Sequence, residues 1–229
     1  MRNNGKVKPN TACKIGIIGA KEVGKTGLAN LLNGYLKIIG AHCDLVPETA
    51  RNSPFLLNEG SGIGTLYWVL GTQIAAESLV QERRQFAICD RTVIDLIPFT
   101  ICGLSRRHGV TKDKIRQDDK VTTVKKIIKS YLNARPYDLL FYVPINQKLW
   151  KLFSSPDDAP LQFEIDKELK IYLEELDLKY VELKKINSSD RLSEIMDSLR
   201  KLYTFSLESK LGWLGKVMRI TQQAEGLKV

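Results

Sequence analysis

The chain alternates short runs of apolar residues with longer stretches in which apolar residues recur every three or four positions. The short runs are rich in β-branched residues, which is typical of strands buried on both faces of a parallel sheet. They predict five strands, over 14–18, 43–48, 86–90, 137–143 and 180–183. The longer stretches have the periodicity of helices that pack on a sheet. They predict helices over 28–39, 65–83, 93–104, the second half of the segment ending at 133, 163–176 and 189–203. This order predicts an α/β protein, a doubly wound five-stranded parallel sheet with helices on both faces.

The sequence outside these elements predicts the limits of the domain. Residues 1–10 have no apolar segment and predict a flexible basic tail, residues 11–203 form the predicted domain, and residues 204–229 form a C-terminal extension. No apolar run is long enough to span a bilayer, and the start of the chain does not resemble a secretory signal. The four cysteines lack metal-binding spacing. We therefore expect reduced thiols, no membrane association and a cytoplasmic location.

One motif predicts nucleotide binding. Residues 19–26 read G-A-K-E-V-G-K-T, a complete G-x-x-x-x-G-K-[ST] phosphate-binding loop between a predicted strand and a predicted helix. Glycines allow successive backbone N–H groups to converge on a phosphate, and the helix N-terminus adds partial positive charge. We expect Lys25 to bridge the β- and γ-phosphates of ATP and the Thr26 hydroxyl to bind Mg²⁺. The predicted ATP-binding residues are Gly19, Ala20, Lys21, Glu22, Val23, Gly24, Lys25, Thr26 and Gly27.

The ends of the second and third predicted strands carry acids. Glu48 and Asp90 each follow an apolar run, so both are expected at the carboxyl edge of the sheet, where ligands bind in such folds. Residues 86–90 fit the Walker B pattern, which predicts that Asp90 holds Mg²⁺; a helix cap is the alternative. Arg91 is placed to meet a phosphate oxygen. Glu48 is the candidate general base, the alternative being a salt bridge with Arg51.

Most of the net charge of +9 lies in one segment. Residues 106–135 contain ten basic and three acidic side chains. Such a run is typical of a solvated helical face, but it also suits a phosphate-rich partner such as nucleic acid.

These motifs together resemble a known group. The combination of G-A-K-E-V-G-K-T, V-P-E-T-A-R over 46–51, a long helix with Gln73 and Glu77, and I-C-D-R-T over 88–92 is similar to the AAA_28-type P-loop group. That group includes the ribosylnicotinamide kinase domain and is related to deoxynucleoside and thymidylate kinases. The resemblance covers about 14–202. It implies a kinase in which Glu48 is the base and Asp90 and Arg91 form the acid–arginine pair.

The chain departs from this group in the segment called the lid. Such kinases usually place arginines between the fourth strand and the following helix to hold the transferring phosphoryl group. Here the only basic residues of that segment are Lys148 and Lys151. Either these lysines serve instead, or Arg106 and Arg107 reach the site from the basic segment, or transfer is slow or absent.

Three functions remain open at this point. The first is a kinase that moves the γ-phosphoryl group of ATP to a hydroxyl or phosphate of a nucleoside, nucleotide or similar metabolite. The second is a kinase that uses the same residues to phosphorylate a hydroxyl of DNA or RNA. The basic segment would then bind the phosphates of the nucleic acid. The third is a P-loop ATPase that acts as a switch, in which Glu48 orients water. We expect Tyr67, Trp68 and residues 93–132 to select the acceptor.

Overall fold

The computed structural model describes residues 12–55, 62–146 and 159–207. Its strands are β1 (Cys13–Ile18), β2 (Cys43–Val46), β3 (Phe86–Asp90), β4 (Leu139–Tyr142) and β5 (Val181–Glu182). Its α-helices are α1 (Lys25–Ile38), α2 (Ile63–Arg83), α3 (Leu96–His108), α4 (Lys112–Arg116), α5 (Asp119–Ala134), α6 (Ala159–Glu175) and α7 (Ser188–Leu207), and a 3₁₀ turn covers Thr49–Asn52. The predicted tails at 1–10 and beyond 207, and the lid residues Lys148 and Lys151, lie outside the described residues.

The five strands form one parallel sheet in the order β2-β3-β1-β4-β5. The predicted fold class is therefore confirmed. After β1 the chain forms β2 at one edge of the sheet and then β3 between β2 and β1. It then crosses to the other side of β1, where β4 and β5 follow, so the direction in which strands are added reverses at β1. Ligands bind at such a switch point, outside the carboxyl ends of the strands.

Helices cover both faces of the sheet because its central strands are apolar on both sides. Ile15 and Ile17 of β1 pack with α1 and α7 on one face. Ile18 of β1 and Tyr142 of β4 pack on the other face with α2, α3, α5 and α6. None of the helices in the described part of the chain has the length and apolar character needed to cross a bilayer.

The structure differs from the predicted boundaries mainly at helix ends. Helix α2 begins at Ile63, two residues before its predicted start, and α3 begins at Leu96 because residues 92–95 form a turn closed by hydrogen bonds from Thr92 to Asp95. Helix α7 continues to Leu207, past the helix end predicted at 203. Helix ends depend on which backbone groups find partners, and apolar periodicity does not encode this.

Candidate nucleotide and acceptor site

The phosphate-binding loop joins β1 to α1 through two glycines with positive φ. Gly19 has φ 148° and Gly24 has φ 92°. A Cβ at Gly19 would lie 2.6 Å from the Val143 carbonyl oxygen, so a larger residue would displace the loop from the end of β4. Glu22 has φ 65°, a left-handed conformation that is uncommon for a residue other than glycine. The two glycines therefore allow the chain to turn sharply between β1 and α1.

Two later helices contact this loop. Gln162 of α6 donates from Nε2 to Glu22 Oε2 at 2.9 Å, and Arg191 of α7 donates from Nη1 to the Val23 carbonyl at 3.1 Å. Arg191 is buried, and it also donates to the Lys185 carbonyl at 2.8 Å. Burial lowers the pKa of its guanidinium. These contacts support the loop from outside the local sequence.

Lys25 is the first residue of α1 and is buried. Its Nζ donates to the Ala20 carbonyl inside the loop. Burial, followed by the charge of Arg91, lowers the pKa of Lys25 to about 7, although nearby carboxylates oppose the shift. A phosphate anion at the loop would favour the charged amine and raise this pKa again.

Glu48 and Arg91 meet at the carboxyl edge of the sheet. Arg91 Nε lies 2.5 Å from Glu48 Oε1, and both side chains are largely buried. Arg51 Nε binds the other carboxylate oxygen at 2.8 Å, but its side chain is 66% exposed. The Arg91 guanidinium also stacks over the Phe99 ring at 4.2 Å. The alternative pairing of Glu48 with Arg51 is therefore present together with the pairing to Arg91.

Asp90 ends β3 and lies opposite Ile17 of β1 in the strand register. It is buried, and its Oδ1 has no hydrogen-bond partner within the described residues. A buried carboxylate oxygen without a partner costs free energy, which a cation at that position would offset. Mg²⁺ prefers hard oxygen ligands and usually takes only one or two from the protein. The unpartnered Asp90 oxygen is a ligand of this kind, and so is the Thr26 hydroxyl, which is exposed in the first turn of α1.

Asp95 is a third acid in this region, and the sequence pattern did not single it out. Its Oδ1 accepts from the Gly19 N–H at 3.3 Å, and its Oδ2 accepts from the Thr92 N–H at 2.9 Å and the Thr92 hydroxyl at 3.0 Å. Burial raises its pKa, while Arg91 and Lys25 act in the opposite direction. Asp95 thus ties the phosphate-binding loop to the turn after β3. Asp95 fell inside the helix predicted over 93–104, and no local pattern indicated its contact with the Gly19 N–H.

A cavity of about 580 Å³ is lined by residues of the loop and of the segments that follow β2 and β3, with Thr26 among them but not Asp90. Its polar part is lined by Lys25, Glu48, Arg51, Arg91 and Asp95. The apolar part is lined by Leu66, Val69, Val93, Leu96, Phe99 and Leu104. This combination of an apolar wall with a few converging polar groups is typical of small-molecule sites. Residues of 93–104 line it, whereas Tyr67, Trp68 and residues 105–132, which were also expected to select the acceptor, do not.

Among the residues that the structure describes, five of the ten basic side chains of the basic segment form ion pairs with acids of other helices. Arg106 pairs with Glu164 of α6 at 3.1 Å, and neither Arg106 nor Arg107 lines the cavity. Four further basic side chains are also paired: Lys112 with Glu164, Arg116 with Glu168, Lys125 with Glu175 and Arg135 with Glu82. Part of the charge therefore holds α6 and α2 against the segment. Lys120, Lys126 and Lys129 of α5 are exposed.

Comparisons by sequence find nothing similar: no protein-family model matches the chain, and no curated protein matches it. Solved structures do match. A NadR protein in complex with NR has a TM-score of 0.62 and 16% identity, and the match covers 83% of this chain but only 50% of the NadR chain. A deoxyadenosine kinase from M. mycoides with bound dCTP has a TM-score of 0.59 and 14% identity, with 82% of this chain and 99% of that chain covered.

A thymidylate kinase from Candida albicans matches in the same way, with a TM-score of 0.58 and 13% identity over 83% of this chain and 92% of that chain. At such low identity, the likeness establishes the fold. The chain has the α/β fold of these proteins, two of which are kinases, and its loop over 19–26 lies at the switch point of the sheet.

Proposed function

We propose that this protein is an ATP-dependent phosphotransferase that moves the γ-phosphoryl group to a hydroxyl or phosphate of a nucleoside, nucleotide or similar metabolite. The observation that carries the proposal is that Lys25, Glu48 and Arg91 line one cavity whose other part is apolar. The polar part suits phosphates, and the apolar part suits the base or another flat group of an acceptor. The shared fold with nucleoside and nucleotide kinases supports this proposal.

Each residue has a role that follows from its position. Lys25 supplies a positive charge at the phosphate-binding loop, which matters most as charge develops during transfer. Glu48 accepts the proton of the acceptor hydroxyl. Each carboxylate oxygen has two lone-pair sites, so pairing one oxygen with Arg91 and the other with Arg51 leaves capacity for that proton. Arg91 holds Glu48 in place and presents its remaining N–H groups to a phosphate oxygen.

Asp90 and Thr26 would hold Mg²⁺. When bound, the ion neutralises phosphate charge and orients the phosphate chain. We expect Asp90→Asn to raise the Mg²⁺ concentration needed for half-maximal turnover, because it removes the buried charge that the ion would balance.

The decisive experiment follows labelled γ-phosphate from ATP. The protein is incubated with a panel of nucleosides, nucleotides and oligonucleotides, products are separated by thin-layer chromatography, and free phosphate is measured in the same samples. We expect label on a nucleoside, a nucleotide or a similar metabolite. Protein with Lys25→Ala, purified in the same way, controls for contaminating kinases and should transfer none.

Other outcomes would replace the proposal. Label found only on oligonucleotides would favour a kinase that acts on nucleic acid. Release of free phosphate without a labelled acceptor would favour an ATPase in which Glu48 orients water. Wild-type turnover by Lys25→Ala would contradict nucleotide chemistry at this loop.

A further inference from the structure

Gln73 lies in the middle of α2, and its carboxamide connects the segments that follow β2 and β3. The Thr49 hydroxyl donates to Gln73 Oε1 at 2.8 Å, and Gln73 Nε2 donates to the Arg91 carbonyl at 3.3 Å. Thr49 directly follows Glu48. This one buried side chain therefore bonds to the backbone of Arg91 and to the residue that follows Glu48, its ion-pair partner.

Glu77 determines which way this carboxamide faces. Gln73 Nε2 donates to Glu77 Oε1 at 2.9 Å. An ionised carboxylate only accepts hydrogen bonds, so the amino group of Gln73 must face Glu77 and its oxygen is left for Thr49. Gln73 thus has a single orientation that satisfies all three neighbours.

Glu77 is itself fixed by groups from three other parts of the fold. Its carboxylate lies 2.6 Å from Lys14 Nζ and accepts from the hydroxyl groups of Tyr131 at 2.9 Å and Tyr137 at 2.8 Å. Lys14 and Glu77 are both fully buried. A buried ion pair contributes little net stability relative to apolar residues of similar size, and its best-attested use is to fix one arrangement. Here the fixed arrangement extends through Gln73 to the edge of the sheet.

Arg91 requires such support because its backbone is strained. Its φ is 72°, a conformation that costs free energy for a residue other than glycine. Its N–H donates to the Ile17 carbonyl at 3.2 Å, and its own carbonyl accepts from Gln73. This conformation directs the guanidinium toward Glu48 and Phe99. Loss of the Gln73 contact would release one side of the strained residue.

We propose that Gln73, held by Glu77 and Lys14, is a positioning residue that fixes the Glu48–Arg91 pair for phosphoryl transfer. This inference rests on the proposed function for its effect on rate, but the contact itself can be tested without any acceptor.

The test uses two variants and a matched control. Gln73→Met keeps the length of the side chain but removes its hydrogen bonds. Thr49→Val removes only the Thr49 hydroxyl, which donates to Gln73 Oε1. Thr72→Val is the control, because Thr72 lies on the same helix and its hydroxyl donates to the Trp68 and Val69 carbonyls instead. If Gln73→Met does not fold, Thr49→Val carries the test.

The first measurement is amide hydrogen exchange of the nucleotide-free proteins. We expect faster exchange over 48–52 and 90–93 in Gln73→Met and Thr49→Val than in wild type, and no change there in Thr72→Val. Unchanged exchange in both variants would overturn the positioning role, whether or not the protein is a kinase. Conversely, if the wild-type protein transfers phosphate to no acceptor, the proposed function is refuted. The exchange result would still show whether Gln73 positions the two segments.

The second measurement separates kcat from KM. We expect kcat to fall by about 10- to 100-fold in Gln73→Met, since small displacements of catalytic groups have effects of this size. ATP affinity should not change, because the polar contacts of Gln73 are with Thr49, Glu77 and Arg91. Thr49→Ser should restore the rate that Thr49→Val loses.

Adding Thr49→Val to Gln73→Met should cause little further loss, because both changes remove the same contact. A rise only in the KM of the acceptor would make Gln73 a substrate contact and contradict the proposal. A lower Tm with wild-type kcat would make its role purely structural, which would also contradict it.

Discussion

At the scale of single residues, Lys25 makes the site sensitive to pH. Its pKa is about 7 in the nucleotide-free protein, so the amine is largely neutral at pH 8. Phosphates favour the charged form, so ATP binding at pH 8 should take up most of one proton. Above pH 7, this linkage weakens ATP binding as the pH rises.

Calorimetry of ATP binding in buffers of different ionisation enthalpy measures this uptake. Lys25→Arg is the matched control, because a guanidinium stays protonated throughout this range. We expect the wild-type protein to take up clearly more protons at pH 8 than Lys25→Arg. Equal uptake by the two proteins would show that Lys25 does not titrate on binding.

Glu48 is the second residue whose role is open to a direct test. As a general base it should contribute about 10² to 10⁴ in rate, so Glu48→Gln should slow transfer by that factor while ATP still binds. Arg51→Gln is the comparison, because it breaks the exposed ion pair and leaves the pair with Arg91 intact. If the two variants have equally small effects on the transfer rate, Glu48 is only a pairing partner of the two arginines and not a general base.

At the scale of helices and strands, the phosphate-binding loop depends on α6 and α7 as well as on its own strand and helix. Arg191 of α7 donates to the Val23 carbonyl from a buried position. Arg191→Met removes this charged donor, and we expect ATP binding to weaken by up to tenfold, about 1.4 kcal/mol. Titration calorimetry measures the change in Kd.

Arg200→Met provides the control on the same helix. Arg200 pairs with Asp197 of α7 at 2.9 Å. If both substitutions weaken ATP binding equally, the effect comes from the stability of α7 and not from the contact with the loop. The contact itself joins residues 168 positions apart, which no local pattern predicts.

At the scale of the whole molecule, the basic segment can be tested for nucleic-acid binding. Lys126 and Lys129 are exposed, whereas Lys125 pairs with Glu175. For a metabolite kinase, we expect charge reversal of Lys126 and Lys129 to leave ATP turnover and acceptor transfer unchanged. Steady-state kinetics of the double variant checks this.

The alternative has a distinct signature. If nucleic acid binds this segment, oligonucleotide affinity should fall with salt at a log–log slope of about −0.9 for each duplex phosphate neutralised. The Lys126 and Lys129 reversals should then flatten that slope without changing ATP affinity. Fluorescence anisotropy at several salt concentrations measures both effects.

The sequence by itself determined the features that depend on neighbouring residues. Apolar runs and helical periodicity predicted all five strands and the α/β order, because burial on one or both faces requires those patterns. Gly19 and Gly24 predicted the backbone of the loop, because few other residues adopt positive φ without strain. The acids at strand ends were also recognisable, since parallel strands end at a common edge.

The tertiary structure alone decided which distant groups satisfy each other. The strand order places β3 between β2 and β1, and this brings Glu48 to Arg91. Arg106, a candidate for the lid, instead pairs with Glu164. Lys14 looked like part of an ordinary strand but is buried against Glu77. A buried polar group must find a partner, and the fold determines which of many chemically suitable partners lies within reach.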